Sequence, residues 1–292
     1  MANGRSGSSG GSAVFRVVED LRARMAGGAL PLGSPLPPQR ELARSYDVSR
    51  DTVQKALQQL REEGWVESRQ GSGTRVIKTQ QVQSYTAKAA REGRVTLREF
   101  FDEAFAREEV ALDVFTLTSE SLDTQVRGQI ERIRSGETPP RGISVRMLLP
   151  SESLDLPYPR ALDDPGGRLT ARLQKRLLGI THRHSSSLEA QFRQLEAEGM
   201  VGSARIEVRH VDLAPAFKLY LINGVQALHG PYEVIERPIV LSDKETVEAL
   251  DVLGLGAMLT HYLKDDNPDS RGSVFMAAWQ AWFDSVWTGL AY

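Results

Sequence analysis

"SRDTVQKALQQLREEGW" occupies residues 49–65 and runs straight into "VESRQGSGTRVIK" at 66–78. In the first stretch Val53, Ala56, Leu57 and Leu60 recur at helical spacing, so they form one buried stripe, and Gly64 ends the helix. Ser49 stands where an N-cap is needed, because its hydroxyl can accept from the unpaired amides of the first turn. Arg50, Asp51, Gln54, Lys55 and Gln58 fall elsewhere on the helix surface. The second stretch alternates like a strand on either side of "QGSG", which reads as a hairpin.

Upstream, Val14, Val17, Val18, Leu21 and Met25 mark another helix beginning near Ala13, and "GGALPLGSPLPP" breaks it with glycine and proline. "QRELARSYD" is a short helix and Val48 a turn residue. Residues 1–12 are rich in Gly and Ser and are expected to form a flexible tail. The order helix, helix, turn, helix, hairpin is that of a winged helix-turn-helix. Such a helix can lie in the major groove while the hairpin reaches the flanking backbone or minor groove. The wing glycines permit positive φ and close approach to phosphates. Winged helices also serve as protein-interaction modules, which is the competing reading.

The charge distribution agrees with a polyanion partner for this part. Residues 1–80 carry 12 Lys+Arg against 8 Asp+Glu, and the remaining residues 24 against 30. Over the whole 292 residues, 40% apolar and 25% charged content are globular values, and the length suits about two domains. The absence of cysteine excludes disulfides, thiolate zinc sites and thiol nucleophiles. No run of about 18 apolar residues is present. The opening residues lack a signal-peptide plan, so a cytoplasmic protein is expected.

The stretch from "LPLGSPLPPQRELARSYDVSRDTVQKALQQLREEGWV" resembles the GntR family of bacterial transcription regulators over roughly residues 13–78. The resemblance implies a homodimer that represses or activates at a short palindromic operator in double-stranded DNA. It implies contacts from Arg40 on the second helix, from Ser49, Arg50 and Thr52 at the start of the recognition helix, with Gln54 and Lys55 beyond, and from Gln70, Gly71 and Gly73 in the wing tip. Gln54 stands where the family often has arginine, which shifts the expected base from guanine to adenine. Asp51 is expected to cap the helix rather than to approach phosphate. Arg22 and Arg24 are expected to decorate the first helix.

Residues 79–95 read as a linker, and 96–292 as a second domain for effector sensing or dimerisation. Its segments alternate: "TLREFFDEAFARE" helix, "EVALDVFTLTS" strand, "ESLDTQVRGQIERIRSG" helix, "ISVRMLLP" strand, then a long helix, two strands and a hairpin-like run. "DKETVEALDVLGLGAMLTHYLKDD" and "SVFMAAWQAWFDSVWTGLAY" are expected as closing helices, with Trp279, Trp282, Phe283 and Trp287 packed in a core or dimer contact. The fold class expected is therefore a two-domain α+β or α/β protein, a winged helix-turn-helix followed by an α/β sandwich. "AFKLYLINGVQALHGPYEV" is similar to the phospholipase D motif, with Lys218 at the lysine, Asn223 at the aspartate and Ala216 at the nucleophilic histidine. Alanine has no lone pair to attack phosphorus, so no catalytic residue, metal or cofactor is expected. The surviving pocket would bind a small anionic effector through Lys218 and Asn223, with His229, Tyr232 and Arg146 as further candidates. His182 and His184 are expected on an exposed loop, and Asp163 and Asp164 in another loop. The alternatives are a DNA-tethered phosphodiesterase or nuclease, and an architectural DNA-binding protein that responds to no ligand.

Overall fold

The computed structural model describes residues 7–26, 29–30, 33–62, 65–69, 73–76, 81–84, 95–242, 245–252, 254 and 257–292. The chain divides into two compact units, residues 1–79 with 238–247, and residues 80–237 with 248–292.

In the first unit, helices α1 (Gly7–Ala26), α2 (Gln39–Ser45) and α3 (Arg50–Glu62) precede the antiparallel hairpin β1 (Val66–Arg69) and β2 (Gly73–Val76). Helix α1 starts six residues before the expected Ala13; once nucleated, a helix extends by one hydrogen bond per added residue, even through Gly and Ser. Val17, Val18, Leu21 and Met25 of α1, Leu42 of α2, and Val53, Ala56, Leu57 and Leu60 of α3 are buried. Trp65, Val66 and Val76 bring the hairpin into the same set of buried residues. Residues 33–36 add a short edge to β2, through Gly33 N–H to Val76 O, Val76 N–H to Ser34 O and Leu36 N–H to Thr74 O. Arg22 is fully buried rather than surface decoration: it falls beside Leu21 and Val18 on the inward side of α1.

The second unit is built on a mixed sheet of eight strands. Its strands are β3 (Gln81–Gln83), β4 (Val95–Thr96), β5 (Glu109–Phe115), β6 (Gly142–Pro150), β8 (Ser203–Val211), β9 (Phe217–Ile222), β10 (Gln226–Pro231) and β13 (Leu259–Leu263), in the order β4-β3-β13-β10-β9-β5-β6-β8. Strands β5, β6 and β8 are parallel, and β9 runs antiparallel to β5. Helices α4 (Leu97–Phe105), α5 (Glu120–Arg134) and α6 (Arg168–Ala197) supply Phe101, Val126 and Phe192 to one core with Val114, Met147 and Tyr220. Helix α7 (Arg271–Gly289) covers the other face, where Phe283 and Trp287 pack with Phe115, Leu148 and Leu219. The central strands β5, β6 and β9 thus present alternate residues to two apolar layers, which is why they read as largely apolar runs, whereas the edge strand β8 alternates apolar with polar residues. Among the described residues no helix is long and apolar enough to cross a membrane.

Two expectations are corrected here. Residues 81–83, within the expected linker, and 95–96, at its end, are strands of the large sheet, where Leu259 lies opposite Val82 and Val82 opposite Val95. The segment expected as a helix after Ser242 is instead β12 (Glu245–Val252) followed by β13. The reason is visible in burial: exposed Thr246 and Glu248 alternate with buried Val247 and Ala249, a period of two. The apolar spacing is compatible with either period over so short a run, and the glycines after Val252 interrupt any helix. Strand β12 pairs with the short β7 (Arg160–Ala161), and β11 (Val234–Ser242) lies on its other side.

Candidate nucleic-acid interface

Helix α3 has the side-chain arrangement that an exposed reading helix requires. Its buried stripe fixes its rotation, so Arg50, Asp51, Gln54 and Lys55 all face solvent. The Ser49 hydroxyl accepts from the Thr52 amide at 3.1 Å and lies 2.9 Å from the Thr52 hydroxyl. That cap holds the first turn, and with it the start of the exposed row. Asp51 does not cap the helix as expected; its carboxylate pairs with Lys55 at 2.8 Å, one turn on. The pair keeps the acid neutralised on a surface otherwise suited to phosphate. Arg50 and Gln54 make no side-chain hydrogen bond or ion pair among the described residues, and Arg40 on α2 is likewise exposed and unengaged.

The turn between α2 and α3 is tied to α1. Tyr46 donates its hydroxyl hydrogen to Asp20, Arg24 donates to the Tyr46 oxygen at 3.3 Å, and Arg16 donates to the Tyr46 carbonyl at 3.0 Å. Burial, and then Asp20, push the Tyr46 phenol up to about 12. Asp47 takes a positive φ of 51°, a conformation that Asp tolerates better than most side chains. Tyr46 is the residue sequence reasoning missed here; an aromatic at the end of a seven-residue helix was its only signal.

In the wing, Gly73 has φ of 76° with open space around it, so the hairpin turns there at no steric cost. Ser68 and Thr74 share a hydrogen bond across the hairpin at 2.9 Å, and Arg75 is exposed beside them. Gln70 and Gly71 lie outside the described residues.

The five residues expected to form an anion site in the second unit are not brought together. Lys218 and Asn223 lie five residues apart, about 16 Å along an extended strand. Lys218 is buried on the α5 face of the sheet, where it donates to the Ser121 hydroxyl at 3.0 Å and to the Gly254 carbonyl at 3.3 Å. Asn223 sits in the β9–β10 turn with φ of 53° and accepts from the Ala111 amide at 2.8 Å, next to the last β5–β9 pair, Leu112 with Ile222. Tyr232 is nearer to Lys218, but its hydroxyl is occupied by the Leu117 amide at 2.9 Å and by Thr116. Arg146 and His229 point to the α7 face. There Arg146 forms a bidentate pair with Asp113, at 2.7 and 2.6 Å, and a third contact with Asp284 at 2.8 Å. His229 packs among Phe217, Phe275 and Trp279, and burial lowers its pKa. The physical reason for the dispersal is strand parity: neighbouring positions on β9 and β10 face opposite layers.

The histidine pair is relocated, whereas Asp163 and Asp164 lie in a loop before α6 as expected. Both histidines lie on α6; His182 pairs with Glu152, while His184 is buried and its Nδ1 lies 2.7 Å from Asp123. Ser187 and Gln191 donate to the other Asp123 oxygen at 2.9 and 2.8 Å. Asp164 caps α6, accepting from the Leu169 and Thr170 amides, which hold its carboxyl below the usual range.

Residues 14–76 match the family described as bacterial regulatory proteins, gntR family. Over 62 residues the chain is 39% identical to the uncharacterized HTH-type transcriptional regulator YdfD of Bacillus subtilis, covering 21% of this chain and 13% of that protein. Over 58 residues it is 47% identical to the HTH-type transcriptional repressor STM4068 of Salmonella typhimurium, covering 20% and 24%. The Exu regulon transcriptional regulator of Escherichia coli is 38% identical over 65 residues, covering 22% and 25%. The chain thus spans a quarter or less of these relatives. Among solved structures, the N-terminal domain of AraR in complex with mutant ORR3 is 31% identical over 22% of this chain and 93% of that one, with a TM-score of 0.22. A GntR family member from Pseudomonas syringae pv. tomato is 20% identical over 63% of each chain, with a TM-score of 0.21. At these TM-scores neither superposition bears on the fold of the whole chain.

Proposed function

Because the N-terminal unit is a GntR-type winged-helix domain, we propose that this protein is a DNA-binding transcription regulator acting as a homodimer at a palindromic operator. The observation that carries the reading is the solvent face of α3, where Arg50 and Gln54 stand unengaged on a helix whose rotation is fixed by its buried stripe. Arg50 can reach guanine or phosphate, Gln54 can pair with adenine, and Lys55 and Arg40 supply backbone contacts. Ser49 and Thr52 hold the helix start against the backbone, and the wing around Gln70, Gly71 and Gly73 approaches the flanking groove.

The second unit is read as the dimerisation or effector domain. A ligand bound there acts by differential affinity for two arrangements of the DNA-binding heads. Support for a phospholipase D-like layer is the pattern around Lys218 and the parallel β5–α5–β6 unit. Ala216 and Asn223 in the motif argue against an enzyme, since neither attack on phosphorus nor orientation of a base by a carboxylate is available. The test is selection of a random duplex library by the full-length protein. An enriched motif with two inverted half-sites is expected, with dimers in sedimentation; a library that emerges unenriched overturns the reading.

A further inference from the structure

The parallel strands β5, β6 and β8 end on one edge of the large sheet, and ligand sites in such sheets gather outside the carboxyl ends of the strands. A cavity of about 180 Å³ lies at that edge. Leu117 follows β5, Pro150 ends β6 and Ser151 follows it, His210 stands near the end of β8, and one face of α6 closes the space with Lys175, Leu178 and Thr181. The walls are mainly apolar, through Leu117, Leu154, Leu178 and their neighbours.

The polar groups of this cavity are unequally engaged. Glu152 is taken by His182, and Ser151 accepts from the Tyr292 hydroxyl at 2.7 Å. Thr181 donates to its own helix at Leu177 O. Lys175 has no hydrogen bond or ion pair among the described residues, and the His210 side chain has none either, although its backbone pairs with Tyr292 in both directions. An exposed, unengaged ammonium at the rim of apolar walls, beside the half-buried His210 and with the nearby carboxylate already paired, favours an anion with an apolar body.

We propose that this cavity is a ligand site for a compact apolar monocarboxylic acid, its carboxylate on Lys175 and His210 and its body against the leucines. A comparable cavity of 150 Å³ holds benzene, so the ligand has roughly six to ten non-hydrogen atoms. The inference deepens the effector reading above and rests on it only for the consequence of binding, since the site stands on its own geometry.

The test titrates benzoate, phenylacetate and isovalerate separately into the full-length protein without DNA, by calorimetry and methyl NMR. Saturable binding of at least one acid at millimolar concentration or below is expected, with shifts confined to Leu117, Leu154 and Leu178. Benzyl alcohol in place of benzoate, or Lys175→Met in the protein, should weaken binding about tenfold or more, the worth of one charge-assisted hydrogen bond. Leu178→Trp should abolish it by filling the cavity, and a thermal melt of that variant establishes that it is folded. Absence of saturable binding for all three acids overturns the proposal, as does affinity unchanged in both variants. Acid binding by a protein that selects no DNA would leave this site standing and remove the regulator; DNA selection without acid binding would do the reverse.

Discussion

The exposed face of α3 and the polar interior of the second unit use the same residue types to opposite ends. On α3, Arg50 and Gln54 are held in solvent without a side-chain partner among the described residues, and the ion pair of Asp51 with Lys55 is exposed on both sides. In the second unit Arg146 is clamped by Asp113 and Asp284, Arg237 pairs with Asp251, and Asp123 gathers His184, Ser187 and Gln191. A buried charge must find its partners within the fold, because water cannot serve it. An exposed charge without a partner costs the fold nothing and remains available to another molecule. Polar side chains therefore point to function where they are unsatisfied and accessible, and to architecture where they are satisfied and buried.

The comparison breaks most visibly if Asp123→Ala is tolerated. That change strips His184, Ser187 and Gln191 of their shared acceptor, and a loss of about 3–5 kcal/mol in urea unfolding is expected. A loss below about 1 kcal/mol would mean that the cluster is not structural.

A pH titration sharpens the contrast. His261 is buried against Phe100, its Nδ1 lies 3.0 Å from the Ser84 hydroxyl, and burial lowers its pKa from 6.5 to about 4. In that window the unfolded chain binds the proton and the folded one does not, so stability falls as pH falls from 6.5 towards 4 and is fully present above 6.5. The contribution amounts to at most about 3 kcal/mol. His261→Phe should flatten the slope; an unchanged slope would assign it to other groups.

Tyr46→Phe removes the hydroxyl shared by Asp20 and Arg24, at an expected cost of about 1 kcal/mol in unfolding of the first unit. The smallest effect belongs to the exposed pair: Lys55→Ala should change stability by about 0.5 kcal/mol or less. A larger loss there would show that α3 depends on its surface charges for folding.

The first unit was more legible in sequence than the second, for local reasons. Val53, Ala56, Leu57 and Leu60 declare one period, Ser49 declares a cap, and the hairpin's pairing is between neighbours in the chain. In the second unit the decisive pairings are distant: β13 lies between β3 and β10, so residues 82 and 259 meet across the sheet. No local pattern carries that, and the run from Glu245 to Val252 is short enough to fit either period. Lys218 shows the limit for sites. Its place in a motif-like stretch suggested a ligand, whereas its surroundings, fixed by Ser121 and Gly254 from distant elements, make it part of the interior. The cavity beside Lys175 had no signal in sequence, because it is assembled from the ends of three strands and one helix face.

The most direct measurement is made on Arg50→Ala in the full-length protein, with thermal stability and affinity for a selected duplex measured on the same preparation. Unchanged stability is expected, with affinity reduced by about 1–3 kcal/mol and discrimination lost at one base position if the contact is to guanine, or a smaller loss uniform across sequences if it is to phosphate. Affinity equal to that of the unsubstituted protein would contradict the assignment of α3 as the reading helix.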